Sequence, residues 1–352
     1  MIGTPEQTRT RLDCSTCHRS FPLWGRRWRC ECGEPLTWNG GAATGVAPGA
    51  GVWRHASLLP PVEEAARVTL GEGGTPLLGS HKLEHLSPTG SFKDRGACVV
   101  ASCLVQMGVE RAVVDSSGNA GAAMAAYLAA ARIAAVVFAP ADASPAKLKQ
   151  IAAYGARLEL VDGSRAEVTR RAQAWAERTG DYYASHLWSP FFSPGMRTIA
   201  AELAQAGALG GVIAPAGSGS VLIGLHAGFR LLREAGAIAA LPPLFGVQSQ
   251  ACDPLAAAFD DRESSCSGET IAEGIRIAAP PRAAEVLRAV RESGGALLTV
   301  DDAEIAAAAA ALARRGVLVE PTAAVGEAGR RKLGLDTDPV VILTGSGLKA
   351  LT

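Results

Sequence analysis

The chain has 352 residues, 48% of them hydrophobic, and its 34 basic residues balance its 34 acidic ones. This length predicts two or three domains, and the neutral charge gives no support to binding of nucleic acid or of a membrane surface. The N-terminus lacks the apolar core of a secretory signal, and no run of about 18 apolar residues predicts a membrane span. We therefore expect a cytoplasmic protein with neither a nucleic-acid nor a membrane partner.

The eight cysteines fall into two groups. The first consists of the close pairs Cys14/Cys17 and Cys30/Cys32, which suit tetrahedral zinc and leave no open position for catalysis. The pattern predicts a structural zinc ribbon over residues 1–42, with disulfides or free thiols as the alternative. The second group is scattered, as expected for reduced, buried thiols. Its members are Cys98, Cys103, Cys252 and Cys266.

Two tryptophans, Trp24 and Trp28, lie among arginines in the predicted ribbon. In a nucleic-acid-binding module such side chains stack on bases. Since the chain is neutral overall, we interpret them instead as residues that pack a hairpin onto the main body of the protein.

Lys93 lies in a turn-rich segment, Ser87-Pro-Thr-Gly-Ser-Phe-Lys-Asp-Arg-Gly96, just before a predicted apolar helix. A lysine amine is a nucleophile only when it is deprotonated, and a buried, crowded position favours that form. Such a lysine can form a Schiff base with an aldehyde, most often pyridoxal phosphate (PLP). The alternative is a solvated loop lysine, so the rest of the chain must decide between the two.

Short β-branched runs then alternate with alanine-rich runs. Strands are predicted at 111–115, 135–139, 157–161, 211–215, 244–248, 297–300 and 340–344. Helices are predicted at 119–131, 144–154, 164–178, 220–234 and from Asp301 onward. This alternation is typical of an α/β fold with parallel sheets and right-handed crossovers.

Three Gly- and Ser-rich segments follow predicted strands, at 116–121, 217–220 and 344–347. Each could be an ordinary tight turn. In parallel α/β folds, however, ligands bind where strands end. Three such segments expected at one edge, together with Lys93, therefore predict a shared ligand site.

The residue types suggest a role for each segment. Backbone N–H groups at the start of a helix suit a phosphate, and the residues predicted for this role are Gly217, Ser218, Gly219 and Ser220. A second helix start suits a substrate carboxylate, and its residues are Ser116, Ser117, Gly118 and Ala120. Within it, Asn119 can donate to the phenolic oxygen of PLP. Either Thr344 or Ser346 can hydrogen-bond the pyridine nitrogen.

From residue 71 onward the chain resembles the threonine synthase family of fold-type II PLP enzymes. The matching motifs are Gly71-Glu-Gly-Gly-Thr-Pro-Leu77, the Lys93 segment, Ser116-Ser-Gly-Asn-Ala-Gly121, Pro215-Ala-Gly-Ser-Gly-Ser220, Ala272-Glu-Gly-Ile-Arg276, Glu320-Pro-Thr-Ala-Ala324 and Leu343-Thr-Gly-Ser-Gly-Leu-Lys349. The resemblance implies a fold like that of the tryptophan synthase β subunit, with two open, mostly parallel-sheet α/β domains after the ribbon. These are a large PLP-binding domain (43–96 and 187–352) and a smaller inserted domain (97–186).

The resemblance also implies site residues and partners. Lys93 is expected to hold PLP and to move protons, and Thr344 is expected to be the pyridine-binding hydroxyl. The substrate is expected to be a small amino acid. A homodimer is compatible with the analogy.

One stretch departs from the family pattern. Members that use O-phosphohomoserine typically carry an Asn-Ser pair and a nearby Arg, which suit the substrate phosphate. Here His186 and Leu187 stand in the places of the pair, and Phe192 stands in the place of the Arg. Because Phe cannot pair with a phosphate, the pattern predicts weaker selectivity for a phosphorylated substrate. Arg197 is the remaining candidate for substrate binding.

The leading hypothesis is a PLP-dependent lyase that removes a Cβ or Cγ group from an amino acid and replaces it with water. The first choice of reaction is O-phosphohomoserine to threonine and phosphate. The alternatives are a serine/threonine dehydratase-like ammonia-lyase and a β-replacement enzyme acting on a non-phosphorylated amino acid. A hypothesis of another class is a catalytically inactive zinc-ribbon binding protein, against which Lys93, Asn119 and the glycine loops argue.

Overall fold

The computed structural model describes residues 10–47, 51–143, 145–264, 266, 268–334 and 338–350, without the side chains of 145–147 and 350. Residues 1–9 of the predicted ribbon and the predicted helix start at Ser144 lie outside this description. The chain divides into two compact units. Unit 1 comprises Met1–Glu72 and Lys93–Gly195, and unit 2 comprises Gly73–Phe92 and Met196–Thr352. The predicted domain boundaries lie instead between residues 96 and 97 and between residues 186 and 187. The predicted domain division stays a prediction.

The elements follow the predicted alternation. The strands are β1 (Arg11–Cys14), β2 (Ser20–Pro22), β3 (Leu36–Thr37), β4 (Leu77–Leu78), β5 (His81–Lys82), β6 (Arg111–Val114), β7 (Ala134–Pro140), β8 (Arg157–Val161), β9 (Tyr182–Tyr183), β10 (Val212–Pro215), β11 (Leu244–Ser249), β12 (Ala296–Val300) and β13 (Val340–Ile342). The α-helices are α1 (Lys93–Gln106), α2 (Asn119–Ala130), α3 (Pro145–Ala153), α4 (Arg165–Thr179), α5 (Arg197–Gln205), α6 (Ser220–Glu234), α7 (Pro254–Phe259), α8 (Ala283–Glu292), α9 (Asp302–Arg314) and α10 (Pro321–Arg330). No helix in the described part of the chain has the length and apolar character needed to cross a bilayer.

Unit 1 contains a small antiparallel sheet and a parallel one. The antiparallel sheet has the strand order β2-β1-β3, and the parallel sheet has the order β8-β7-β6-β9. Its core packs Val113, Val136 and Phe138 of the strands against Val168 and Ala172 of α4. The central strands β6 and β7 are mostly buried and are nearly continuous apolar runs, whereas the edge strand β8 carries Arg157 and Glu159 and is mostly exposed or partly exposed.

Unit 2 contains the larger sheet, with the described strands in the order β12-β11-β10-β13-β5-β4. Its neighbours pair in parallel, except for β4 with β5. All residues of β10, β11 and β13 are buried. Ala308 of α9 and the buried alanines of α10 pack against this sheet, and α9 begins with a capping box formed by Asp301 and Glu304.

The predicted strands and helices are confirmed, with bounds that shift by at most two residues, as where β13 ends at Ile342 instead of 344. Each unit contains a parallel or mostly parallel sheet with α-helices, in agreement with the predicted α/β fold class. One expectation about placement was wrong. The segments at 217–220 and 344–347 follow the adjacent strands β10 and β13, but the segment at 116–121 follows β6 in the other sheet. Alternation along the chain does not reveal which sheet a strand joins.

A second expectation was also wrong. Cys252 and Cys266 form a disulfide instead of remaining reduced thiols. The chain after β11 turns back on itself, since Asp253 pairs with Arg262 at 2.6 Å and accepts a hydrogen bond from Ser264 at 3.3 Å. This turn brings the two sulfurs together. Cys98 and Cys103 are buried free thiols, as predicted.

Candidate active site

Lys93 is the first residue of α1, so the helix begins at the lysine itself rather than after it. Asp94, Arg95 and Gly96 behind it are fully buried. The Nζ of Lys93 lies 5.6 Å from the ring centroid of Phe192. A Cβ added to Gly96 would lie 2.7 Å from the same ring. A glycine at this position therefore lets the Phe192 ring reach the first turn of α1.

His186 is the second side chain in this neighbourhood. Its ring lies 5.8 Å from that of Phe192, in an edge-on arrangement. Burial, together with the positive charges of Lys93 and Arg165, holds the pKa of His186 well below its usual range. Its buried Nδ1 has no hydrogen-bond partner within the described residues. We call His186 and Phe192 the lysine wall. It is a neutral surface at neutral pH.

The predicted carboxylate-binding segment opens α2, with Gly118 as the N-cap. A Cβ added to Gly118 would meet nothing within 4 Å, whereas one added to Gly121 would lie 1.8 Å from the carbonyl oxygen of Ser116. Close packing therefore excludes a side chain at Gly121, whereas there is free space beside Gly118. Ser116, Ser117 and Asn119 are partly exposed and Ala120 is buried, so a ligand can reach the N–H groups at this helix start.

Asp115 directly precedes this segment, and sequence reasoning missed it. It is fully buried, and its Oδ2 accepts hydrogen bonds from Arg165 at 3.0 Å and Thr169 at 2.8 Å. The guanidinium of Arg165 therefore compensates a carboxylate that would otherwise repel a substrate carboxylate. An Asp at a strand end was the available signal, but its partners lie 50 or more residues away.

In unit 2, the predicted phosphate-binding residues lie where α6 begins. Gly219 is the N-cap with φ +73°, and a Cβ added there would lie 2.1 Å from Val286. A Cβ added to Gly217 would lie 2.8 Å from the Cα of Ile275. Close packing therefore excludes side chains from the two glycines, while the N–H groups of a helix start remain for an anion.

Thr344 follows β13 in the same unit and is 3% exposed. Its Oγ1 is buried without a hydrogen-bond partner among the described residues, whereas the Oγ of Ser346 accepts from the N–H of Leu348 at 3.3 Å. A buried hydroxyl without a partner is costly unless a ligand supplies one. Thr344 is therefore the better fit to a pyridine nitrogen. Two serines that sequence reasoning missed, Ser87 and Ser91, also carry buried, unpartnered hydroxyls in this unit. We call 217–220 together with Thr344 the unit 2 cradle.

Arg197, the candidate substrate residue, is the first residue of α5 in unit 2. It is 5% exposed, and burial together with the nearby charge of Arg230 lowers its pKa to about 9. It therefore remains a cation at neutral pH. Leu187 is buried in unit 1.

The four cysteines of the predicted ribbon come together in unit 1. Their sulfurs all lie within 4.8 Å of one another, with Cys14 to Cys32 at 3.6 Å and Cys17 to Cys30 at 3.4 Å. A tetrahedral zinc with Zn–S bonds of about 2.3 Å needs sulfurs about 3.8 Å apart. A backbone hydrogen bond from Arg19 lowers the pKa of Cys17 to about 7, whereas burial raises the pKa of Cys30 and the thiol of Cys30 helps raise that of Cys32 to about 12.

Comparison with known proteins identifies the family. The profile of the pyridoxal-phosphate dependent enzymes matches residues 68–345. This chain belongs to that family. Threonine synthase of Methanocaldococcus jannaschii is 35% identical over 327 residues, covering 85% of this chain and 80% of the relative. The threonine synthase of Methanosarcina acetivorans is 34% identical over 326 residues with the same coverage, and that of Mycobacterium tuberculosis is 32% identical over 313 residues, covering 83% and 86%.

Solved structures of this fold type include the T.th. threonine deaminase, with 27% identity, a TM-score of 0.63, and coverage of 75% of this chain and 85% of that one. Maize serine racemase, at 22% identity and a TM-score of 0.67 over 76% and 82% of the two chains, shows the fold alone. The predicted fold-type II class is thereby confirmed. The chain is a PLP-dependent lyase of the threonine synthase type, as predicted.

Proposed function

We propose that this enzyme eliminates a Cβ or Cγ leaving group from a small amino acid and then adds the hydroxyl of water at Cβ. The observation that supports this class of reaction is the buried, unpartnered hydroxyl of Thr344. A neutral hydroxyl facing the pyridine nitrogen does not enforce ring protonation, which suits elimination and replacement better than transamination. The reaction to test first is O-phosphohomoserine plus water to threonine plus phosphate, because the relatives are named threonine synthases.

Each site residue then has a proposed role. When bound, PLP supplies an electron sink for charge that develops at Cα. Lys93 would hold the cofactor, and its amine would accept the proton from Cα of the substrate. The residues at 217–220 would bind the cofactor phosphate, and Asn119 would donate to its phenolic oxygen. The N–H groups of 116–118 and 120 hold the substrate carboxylate.

The lysine wall favours a second candidate. A phosphorylated side chain near Lys93 would meet a neutral imidazole and a phenyl ring there, and neither pairs with a dianion. Each missing hydrogen bond to a charged group costs about 1.5–3 kcal/mol, so two such losses weaken binding by about a hundredfold or more. The second candidate is therefore an ammonia-lyase or β-replacement reaction on a non-phosphorylated amino acid. Arg197 is the cation through which a phosphate could still be bound.

A spectral screen tests both candidates. The visible absorbance of the purified, PLP-loaded enzyme is followed with O-phosphohomoserine, homoserine, serine and threonine, and products are assayed as threonine plus phosphate or as 2-oxo acid plus ammonia. We expect the turnover of O-phosphohomoserine either to be weak in the wild-type enzyme or to depend on Arg197. In the second case Arg197→Ala should lose it and Arg197→Lys should retain part of it. Efficient, phosphate-selective threonine formation in Arg197→Ala would show that the wall and Arg197 do not select the substrate. A spectrum that no amino acid alters would overturn the proposed function.

We also propose that Cys14, Cys17, Cys30 and Cys32 bind one structural zinc per chain. Metal analysis of enzyme purified without chelators should give about one zinc per chain, and Cys17→Ser should lower it. Zinc-free protein would refute the assignment. The homodimer, the cytoplasmic location and the absence of nucleic-acid and membrane partners stay predictions.

A further inference from the structure

Trp24 and Trp28 of the predicted ribbon pack onto segment 183–191, next to the residues of the lysine wall. The ring of Trp28 lies 4.7 Å from that of Tyr183 and 5.7 Å from that of Trp188, both edge-on. The ring of Trp24 stacks on Phe191 at 6.1 Å. Aromatic pairs at these distances stabilise the contact beyond the burial of their area. The ribbon therefore contacts the segment at the start, the middle and the end of 183–191.

That same segment carries both residues of the lysine wall. His186 lies between the two residues that Trp28 contacts, and Phe192 follows Phe191 directly. A shift of the Phe191 ring therefore reaches Phe192 through a single planar peptide. The Phe192 ring has little space in which to move, because Gly96 of α1 approaches it so closely that a Cβ added to Gly96 would overlap the ring.

The ribbon also holds the helix that begins with Lys93. Arg26 donates hydrogen bonds to the carbonyl oxygen of Met107 at 2.6 and 3.2 Å and to that of Gly108 at 2.9 Å. Both acceptors lie just past the end of α1. The ribbon thus bonds to the far end of the lysine's helix and packs on the segment that faces the lysine. Packed protein interiors transmit such displacements because they contain few voids.

We propose that the ribbon positions the active site, with Trp24 and Trp28 setting where Phe192 and His186 lie beside Lys93. The inference rests on the proposed function for its kinetic readout. The two tryptophans are positioning residues, since they act through Phe191, Tyr183 and Trp188. If they only stabilised the fold, truncating either would lower stability without changing how the enzyme treats its substrates.

The test truncates each tryptophan in the PLP-loaded enzyme, as Trp24→Ala and Trp28→Ala, with Trp24→Phe and Trp28→Phe as rescue variants. The control is Trp175→Ala. Trp175 packs against the same hydrophobic cluster as Trp28, but its ring meets Phe138 and its N–H donates to Asp181. For each variant, kcat and KM are measured with the two best amino acids from the screen. The pH profile of the cofactor's visible absorbance is recorded without substrate.

We expect kcat/KM to fall about ten- to a hundredfold in the two Ala variants, the scale of a small misplacement far from the chemistry. The fall should be unequal for the two amino acids, and the absorbance profile should shift. The Phe variants should recover both, and Trp175→Ala should lower only thermal stability. Unchanged substrate ratios and absorbance profiles in both Ala variants, or changes matched by Trp175→Ala, would overturn the inference. If an Ala variant does not fold, Trp24→Leu or Trp28→Leu, which keeps an apolar side chain but removes the ring contact, takes its place and is judged against wild type by the same two readouts.

Failure of the proposed function is recognised separately. A wild-type enzyme that binds PLP but turns over none of the amino acids would contradict the proposed reaction. The substrate-free absorbance profile would still decide whether the ribbon positions the surroundings of Lys93.

Discussion

The unit 2 cradle and the lysine wall of unit 1 are built from different parts of the polypeptide. The cradle consists mainly of backbone at Gly217 and Gly219, where any Cβ would overlap Ile275 or Val286. The wall consists of two side chains, His186 and Phe192, presented by a segment of turns. Substituting a glycine of the cradle would distort its backbone, whereas substituting a residue of the wall can change the chemistry of the surface and leave the backbone in place. Under the proposed function, the cradle binds the cofactor phosphate and ring through positions that tolerate little change, whereas the wall is the part whose substitution can alter the choice of substrate.

The largest effect should come from removing Lys93, the residue proposed to hold the cofactor. Lys93→Ala should lose the cofactor's visible absorbance and lower turnover by at least about 10²–10⁴-fold, the usual contribution of one proton-transferring group. Circular dichroism should show that the variant stays folded. Lys332→Ala, which removes a lysine that pairs with Glu304 at 2.8 Å, should keep normal activity. Normal turnover by Lys93→Ala would show that Lys93 neither holds the cofactor nor transfers the proton.

The next largest effect should come from the cradle. Gly219→Ala combines a positive φ with an overlap against Val286, so it should lose about 1–2 kcal/mol of unfolding free energy from the backbone and about 1–3 kcal/mol from overpacking. Gly236→Ala is the matched control, because its φ is +72° and its added Cβ would meet nothing within 4 Å. It should lose only the first contribution and keep PLP affinity. Equal stability and affinity in the two variants would contradict the close packing of the cradle.

The wall can be tested through its contact with α1. Gly96→Ala should lower the unfolding free energy by about 1–3 kcal/mol, since its Cβ overlaps the Phe192 ring. In the background of Phe192→Leu, the same change should cost less, with a coupling of about 0.5–3 kcal/mol. Additive effects in denaturant titrations would show that the two residues do not restrict each other.

The neutrality of the wall predicts a pH dependence. Because the folded-state pKa of His186 lies below 6.5, the unfolded chain takes up a proton as the pH falls through 6.5 and the folded chain does not. The unfolding free energy should therefore fall below pH 6.5, by up to about 1.4 kcal/mol per pH unit from this residue. His186→Gln should reduce that slope and leave the slope above pH 7 unchanged. Identical slopes below pH 6.5 would mean that His186 titrates normally in the folded protein.

The smallest effect should come from Thr344. Thr344→Val should weaken PLP binding by about two- to tenfold, the value of one neutral hydrogen bond, while Thr344→Ser keeps the hydroxyl and the affinity. Without PLP, the Val variant should be no less stable than wild type, because the hydroxyl has no partner within the described residues. A large loss of stability in the PLP-free Val variant would mean that the hydroxyl has a structural role instead.

By itself, the sequence determined what depends on near neighbours along the chain. Hydrophobic periodicity placed α6 at Ser220–Glu234 and β8 at Arg157–Val161, because a strand or helix needs only its own residues to show which face is buried. Glycine-rich helix starts and a lysine in a turn-rich segment pointed to PLP for the same reason. Close spacing likewise pairs Cys14 with Cys17 and Cys30 with Cys32, but the folding of the chain between the pairs brings the four sulfurs together.

Only the tertiary structure decided which distant residues meet. It placed Phe192 against Gly96, Trp24 on Phe191 and Arg165 on Asp115. It also showed that, among the described residues, the hydroxyl of Thr344 has no hydrogen-bond partner whereas that of Ser346 has one. The physical reason is that such contacts depend on how whole elements pack, and packing depends on many weak interactions between residues far apart in the chain. The substrate-facing wall is made of these contacts, which is why its form could not be read from motifs.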